Sequence, residues 1–240
     1  LTLDGIGTVA DKNVGNNKPV TLGSLLLGDG TGGGLASNYT FTGGTQTATI
    51  TPYAVSMTGS RTYDGTANVA AGIFTLGTLV GSETLTLSGS GAVANKNVGT
   101  AKAVTLGTLA LGDGSNGGLA GNYTLTDVSG TGTITKATLT LTPVTDSKTY
   151  DGALTSTAVV TIAGKASGDT VTVAEQFASK NVMDTNGSTL AIKPGYTILD
   201  GLSADMSGNY AITDTATATG TISKAPLTIT AATNTKTYDG

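Results

Sequence analysis

The sequence predicts an all-β protein made of tandem β-sandwich repeats. Three observations carry that expectation: a composition suited to strands and turns, a set of phrases recurring at near-constant spacing, and apolar alternation broken by turn residues every 8–12 positions. The chain has 240 residues with 36 Gly but only 5 Pro, and 38% of it is hydrophobic. Val, Ile, Leu and Thr fit a pleated, half-buried surface, and Gly lets the chain turn corners. Only 12% is charged, so Thr, Ser, Asn and Gly must cover most of the surface. The chain is too apolar for a charged disordered polymer.

The recurrence comes from four phrases. "RTYDG" stands at 61–65 and "KTYDG" at 148–152 and 236–240, so Tyr63, Tyr150 and Tyr238 are 87 and 88 residues apart. "DKNVG", "NKNVG" and "SKNVM" place Val14, Val98 and Val182 at steps of 84. "SNYT", "GNYT" and "GNYA" place Tyr39, Tyr123 and Tyr210 at steps of 84 and 87. "TATIT", "TGTIT" and "TGTIS" centre on Ile50, Ile134 and Ile222. A period of this length exceeds a solenoid coil and has the size of a small domain.

Alternation locates the joins. Ile134 sits at an even position while Leu139 and Leu141 sit at odd ones. A period-2 strand cannot change parity without a break, so one repeat ends at Lys136 and the next begins at Ala137. The same join recurs near Pro52 and Pro226, where proline suits the first residue of a strand. The expected layout is 1–51 as the C-terminal part of a repeat, 52–136 and 137–224 as complete repeats, and 225–240 as the first strand of another. On this reading the chain is a window on a longer array. Joins of one or two residues leave little freedom, so the array should be a rod.

Within 137–224, about seven short strands follow one another, an immunoglobulin-like sandwich pattern. "TLTLTP" points Leu139 and Leu141 inward, and "KTYDG" ends a strand in a turn. Strands follow around Val160 and Ile162, then Val171 and Val173, then in "STLAIKP" and "GYTILDG". "NYAITDTATATGTIS" supplies the last two. The best helical stretch is 174–181, and its glycine-bearing counterpart "SGSGAVAN" is a poor helix former.

The recurring residues are expected to serve structure. In Tyr63-Asp64-Gly65 and Tyr150-Asp151-Gly152, the Asp bonds nearby backbone, the Gly accepts positive φ, and the Tyr lays its ring on the core. Both tyrosines should be buried. Asn122 and Asn209 should cap the loops before Tyr123 and Tyr210. Val98 should enter the core, with the Lys96 stem along the surface.

Sharper chemistry finds little footing. The chain has no Cys, His or Trp, which removes the commonest metal ligands and nucleophile–base pairs. No catalytic, cofactor-binding or metal-binding residue is expected, and no enzyme. "GDGTGGG" and "GDGSNGG" hint at calcium but offer one Asp each, too few for a hard cation. A Lys–Asn isopeptide bond would pair Lys12, Lys96 or Lys180 with Asn38, Asn122 or Asn209, beside an acid such as Asp64 or Asp151. Asn38, Asn122 and Asn186 match the short glycosylation acceptor pattern. Glu83 and Glu175 sit near corresponding strand starts of different repeats. A net charge of −4 without a basic cluster argues against a nucleic-acid partner, and no apolar run is long enough for a transmembrane segment.

Taken together, "KTYDG", "KNVG", "GNYTL" and "GTITKATLT" resemble the YDG-type repeat of bacterial surface adhesins, including filamentous-haemagglutinin-like proteins exported by two-partner secretion. The resemblance covers the whole chain and departs at Met183 and around 204–207. It implies a stalk or fibre of a large secreted, cell-surface protein serving cell adhesion or an extracellular or biofilm matrix. A receptor- or glycan-binding module is the alternative. Related surface repeats make a β-grasp-like fold the alternative to the sandwich. The partners implied are neighbouring repeats of the same chain, other copies in a fibre, or a host or surface ligand.

Overall fold

The structure, a computed structural model, describes residues 1–40, 42 and 46–240. It is all-β: among the described residues, the only helical elements are 3-10 turns of three residues each. The stretch 174–181, the best helical candidate, forms the strand Glu175–Phe177. There Glu175 and Phe177 point into the interior and Gln176 does not, the period-2 pattern of a strand.

Packing divides the chain into two compact units. The first takes Leu1–Arg61, Ala67–Asn95 and Gly99–Thr133, and the second takes Thr62–Thr66, Lys96–Val98 and Ile134–Gly240. Two short segments of the sequence repeat 52–136 therefore belong to the second unit: the TYDG turn and the KNV loop.

In the second unit the opening segment 137–149 supplies one strand to each of two sheets. Ala137–Thr142 pairs antiparallel with Thr161–Ala163 and parallel with Tyr210–Thr213. The chain then crosses over, and Asp146–Thr149 pairs parallel with the closing strand Thr217–Ser223. That closing strand is flanked on its other side by Ser188–Ile192, which pairs in turn with Glu175–Phe177. Ala137, Leu139 and Leu141 are all buried, the last two completely. Burying such a side chain contributes about 1.5–3 kcal/mol, so the T-L-T-L alternation fixes which face of the strand points in. A second cluster joins Phe177, Leu190 and Ile222. Gly220 is required there: a Cβ on it would lie 2.6 Å from the Phe177 ring.

In the first unit the elements follow the same order. A six-stranded sheet runs Asn68–Ala70, Ser90–Val93, Gly99–Thr105, Tyr123–Thr135, Tyr53–Thr62, Phe74–Leu76, with Leu85–Ser88 and Ala110–Asp113 paired beside it. The opening strand Tyr53–Thr62 is continuous here and again lies next to the closing strand. The described strands within 1–51 are Thr2–Asp4, Thr8–Val9, Gly15–Thr21, Leu26–Gly28 and Thr47–Ile50. Their closing strand, Thr47–Ile50, pairs with Gly15–Thr21 and forms the edge of its three-stranded sheet.

Candidate functional site: a tyrosine socket

The YDG turn is built locally. The Asp64 carboxylate accepts from the Thr66 backbone N–H at 2.9 Å, and Asp151 accepts from the Ala153 N–H at 2.9 Å. Asp151 is held below the usual carboxylate range, first by the Lys148 ammonium and then by that N–H. Gly65 and Gly152 have φ of 86° and 78°, a backbone region that a Cβ penalises. At Gly65 a Cβ would also sit 2.5 Å from the Ser167 carbonyl oxygen, so both conformation and space demand glycine.

That turn delivers Tyr63 into the second unit. The Tyr63 N–H bonds the Thr135 carbonyl at 2.8 Å, and the ring is buried. Its hydroxyl donates to Asp169 Oδ2 at 3.0 Å. Tyr210 donates to the same oxygen at 2.7 Å, while its own hydroxyl accepts from the Ala166 N–H at 2.9 Å. The two rings meet edge to face, 5.4 Å between centroids, a favoured aromatic geometry. Asp169 is itself buried, so two phenols stabilise a carboxylate taken out of water.

The KNV loop is held beside it. Asn209 Oδ1 accepts from the Val98 N–H at 2.8 Å, and Asn209 Nδ2 donates to Asn97 Oδ1 at 3.1 Å. Lys96 pairs with Asp200 at 2.8 Å. In the first unit the matching residues do the same. Asn122 accepts from the Val14 N–H at 2.8 Å and donates to Asn13 at 2.9 Å. Tyr123 donates to Glu83 at 2.5 Å and accepts from the Val80 N–H at 3.2 Å. Here Lys12 pairs with Glu83. Tyr53 leans on Tyr123 edge to face at 6.0 Å.

Four expectations change. Tyr150 is 40% exposed whereas Tyr63 is 3% exposed; the same turn buries its ring only where an acid and a second tyrosine receive it. Asn122 and Asn209 hold backbone more than 100 residues away in sequence, and only Asn209 also reaches the loop before it, at Met206 Sδ, among the described residues. Val98 is only half-buried, because the loop is fixed through its backbone. Glu83 matches Asp169, not Glu175. Glu175 is buried elsewhere, accepting from the Val144 N–H at 2.7 Å and the Ser156 hydroxyl at 2.8 Å.

Asp169 is the residue that sequence reasoning missed. Its signal is an acid directly before a Thr-apolar-Thr strand, present as "SETLTL" and "GDTVTV". The Asp residues of the GDG loops bond their own loops: Asp29 accepts from the Ala36 N–H at 2.7 Å and Asp113 from the Ala120 N–H at 2.8 Å. Among the described residues, no group of three or more metal-ligating side chains gathers. Lys12 and Lys96, candidates for isopeptide chemistry, are engaged in the ion pairs above.

The socket predicts an alkaline transition. Burial, and then the hydrogen bond to Asp169, push the Tyr210 phenol from 10.0 up to about 12, and Tyr63 rises for the same causes. The folded state thus favours the protonated phenols. The Tyr210 contribution is complete below pH 10 and is lost as pH rises from about 10 to about 12, while that of Tyr63, raised further, persists to higher pH. Thermal melts across that range, with tyrosinate absorbance followed in parallel, should show the second unit losing stability as its two tyrosines ionise. Stability unchanged to pH 12 would refute the buried pair.

A family model described as YDG domain matches residues 45–130 and again 135–219. No curated protein and no solved structure matches the chain.

Proposed function

Since the chain belongs to the YDG domain family and carries the domain twice in tandem, we propose that it is a structural stalk or fibre segment of a large secreted bacterial adhesin or extracellular matrix protein. The observation that carries this reading is the buried Tyr63–Asp169–Tyr210 contact. It consumes the most recognisable residues of the motif in holding one sequence repeat onto the next. Residues buried in this way are withdrawn from any ligand. The absence of His and Cys from the sequence fits a part that carries load and not chemistry. Among the described residues, no helix is long and apolar enough to cross a membrane.

We read each repeat as an immunoglobulin-like sandwich and the array as a rod. The opening segment of 137–224 gives Ala137–Thr142 to one sheet and Asp146–Thr149 to another, as a chain crossing between two stacked sheets does. The three-residue 3-10 turns offer nothing to cover a sheet as a β-grasp helix would. Small-angle scattering on the whole chain, run alongside binding to host-cell and glycan surfaces, tests the proposal. A particle several times longer than wide, with no saturable binding, is the expected result. Saturable binding abolished by a change at one exposed patch would replace the stalk with the receptor- or glycan-binding reading.

A further inference from the structure

We propose that one proton is trapped between Glu175 and Asp146 at neutral pH, on Glu175, and that it makes the second unit more stable in mild acid than at neutral pH. The proposal goes beyond the stalk reading and does not depend on it.

The two acids stand at opposite edges of one sheet. In the four-stranded sheet of the second unit, Asp146–Thr149 and Glu175–Phe177 are the two outermost strands. The segment 153–158 joins these edges. Thr155 bridges Gln176, and the Leu154 carbonyl accepts from the Phe177 N–H at 2.8 Å. The Ser156 hydroxyl lies 2.6 Å from Asp146 Oδ2 and 2.8 Å from Glu175 Oε1. A hydroxyl has one proton and two lone pairs. The Ala158 N–H occupies one lone pair at 3.2 Å. The proton serves one acid, so the second lone pair faces the other. With both acids ionised, that contact would set a lone pair against a carboxylate oxygen at hydrogen-bonding distance. A proton on one acid turns it into a hydrogen bond.

The surroundings place that proton on Glu175. Asp146 is served as an anion: Oδ1 accepts from the Ser147 N–H at 2.7 Å and Oδ2 from the Thr157 N–H at 3.0 Å. Burial pushes its carboxyl up, but the Ser156 hydroxyl and the neighbouring N–H groups outweigh burial and hold it below the usual carboxylate range. Glu175 is 2% exposed and has one backbone donor, the Val144 N–H at 2.7 Å. Burial disfavours a charged form, and so does a second carboxylate close by. No cation compensates. Lys148 gives its ammonium to Asp151 at 2.8 Å and to the Ala153 carbonyl at 2.7 Å, and Lys193 is exposed. The inward residues of Ser188–Ile192 and Thr217–Ser223 carry no charge, nor does any residue of 153–158. Neutral Glu175 therefore donates from Oε1 to Ser156, and Ser156 donates to Asp146. This reverses the sense of the bond that an ionised Glu175 would accept. In 52–136 the counterpart of 174–181 is "SGSGAVAN", which puts Gly89 in the place of Glu175, so that repeat lacks the device.

The sign of the pH effect follows. In the unfolded chain a glutamate ionises near about pH 4.3, whereas the fold keeps the proton. The contribution is complete below that value and declines as pH rises, by about tenfold in the folding constant per pH unit while the fold holds the proton. The chain has no His, so no side chain at its ordinary pKa changes charge between about pH 5 and 8.

Infrared spectra of the full chain at neutral pH should show the C=O stretch of a neutral carboxyl, and Glu175→Gln should lack it. The glutamine amide can donate to Ser156 and accept from Val144 as the neutral acid does, so this variant should fold. Relative to it, the folding constant of the unmodified chain should fall by about tenfold per pH unit from about pH 5 to 7, read from denaturant unfolding. Unfolding the unmodified chain at neutral pH should also release about one proton, a readout that needs no variant. Absence of a neutral carboxyl at neutral pH overturns the proposal. So does a band that survives Glu175→Gln, a pair of parallel stability profiles, or unfolding without proton release.

Discussion

Replacing Tyr63 by Ala should destabilise the second unit by about 3–5 kcal/mol, the usual cost of deleting a buried aromatic, although Tyr63 lies in the sequence repeat 52–136. Two losses combine. The ring packs edge to face on Tyr210, and the hydroxyl is one of two donors to Asp169 Oδ2. The other carboxylate oxygen, Oδ1, is buried with no partner among the described residues, so the carboxylate depends on its two phenols. Tyr63→Phe keeps the ring and should cost about 1–3 kcal/mol, the penalty for under-serving a buried polar group. Tyr150→Ala provides the contrast. With Tyr150 40% exposed, its loss should stay within about 0.5 kcal/mol. Denaturant unfolding, with hydrogen exchange followed at the 188–192 amides, separates the cases. Equal damage from Tyr63→Ala and Tyr150→Ala would show that the tyrosine serves its own repeat and not the next.

Phe177→Ala should cost a similar amount, about 3–5 kcal/mol, through a different cause. Phe177 is fully buried with Leu190 and Ile222. It occupies the space that Gly220 leaves by having no side chain, and the Lys148 ammonium lies 5.3 Å from its ring centroid. Truncation would open a cavity that a glycine cannot help to refill. Gly220→Ala should be destabilising in turn, since the new methyl would meet the ring at 2.6 Å and the Leu190 side chain at 2.9 Å. A smaller loss in the double variant than in the sum of the singles, read from unfolding free energies, is the expected signature of residues sharing one space. Strict additivity would place the two effects in separate parts of the core.

Local chemistry was legible in the sequence and distant pairing was not. Leu139 and Leu141 announce their face because alternation is a property of neighbouring residues. Asp64 and Asp151 announce their turn because their partners are two residues away. The strands Ser188–Ile192 and Thr197–Leu199 also lie where turn residues and β-branched runs put them. The role of Asp169 could not be read that way: its partners are 106 and 41 residues distant. The parallel pairing of Asp146–Thr149 with Thr217–Ser223 is equally silent, since alternation gives a strand its face but not its neighbour. The stretch 174–181 misleads because Ala, Glu and Gln favour helices, while burial of Glu175 and Phe177 on one side settles it as a strand.

The Tyr63 contact has a bearing on how such genes change length. The plug and its receptacle are displaced by about one period, and 52–136 and 137–224 each carry a YDG tyrosine and an acid–tyrosine pair. On the proposed stalk reading, gain or loss of a whole repeat would bring a plug to a receptacle of the same plan, an acid and a tyrosine, with Glu83 and Tyr123 standing where Asp169 and Tyr210 stand. An array built this way would change length in whole repeats. Length becomes a trait on which selection can act separately from folding.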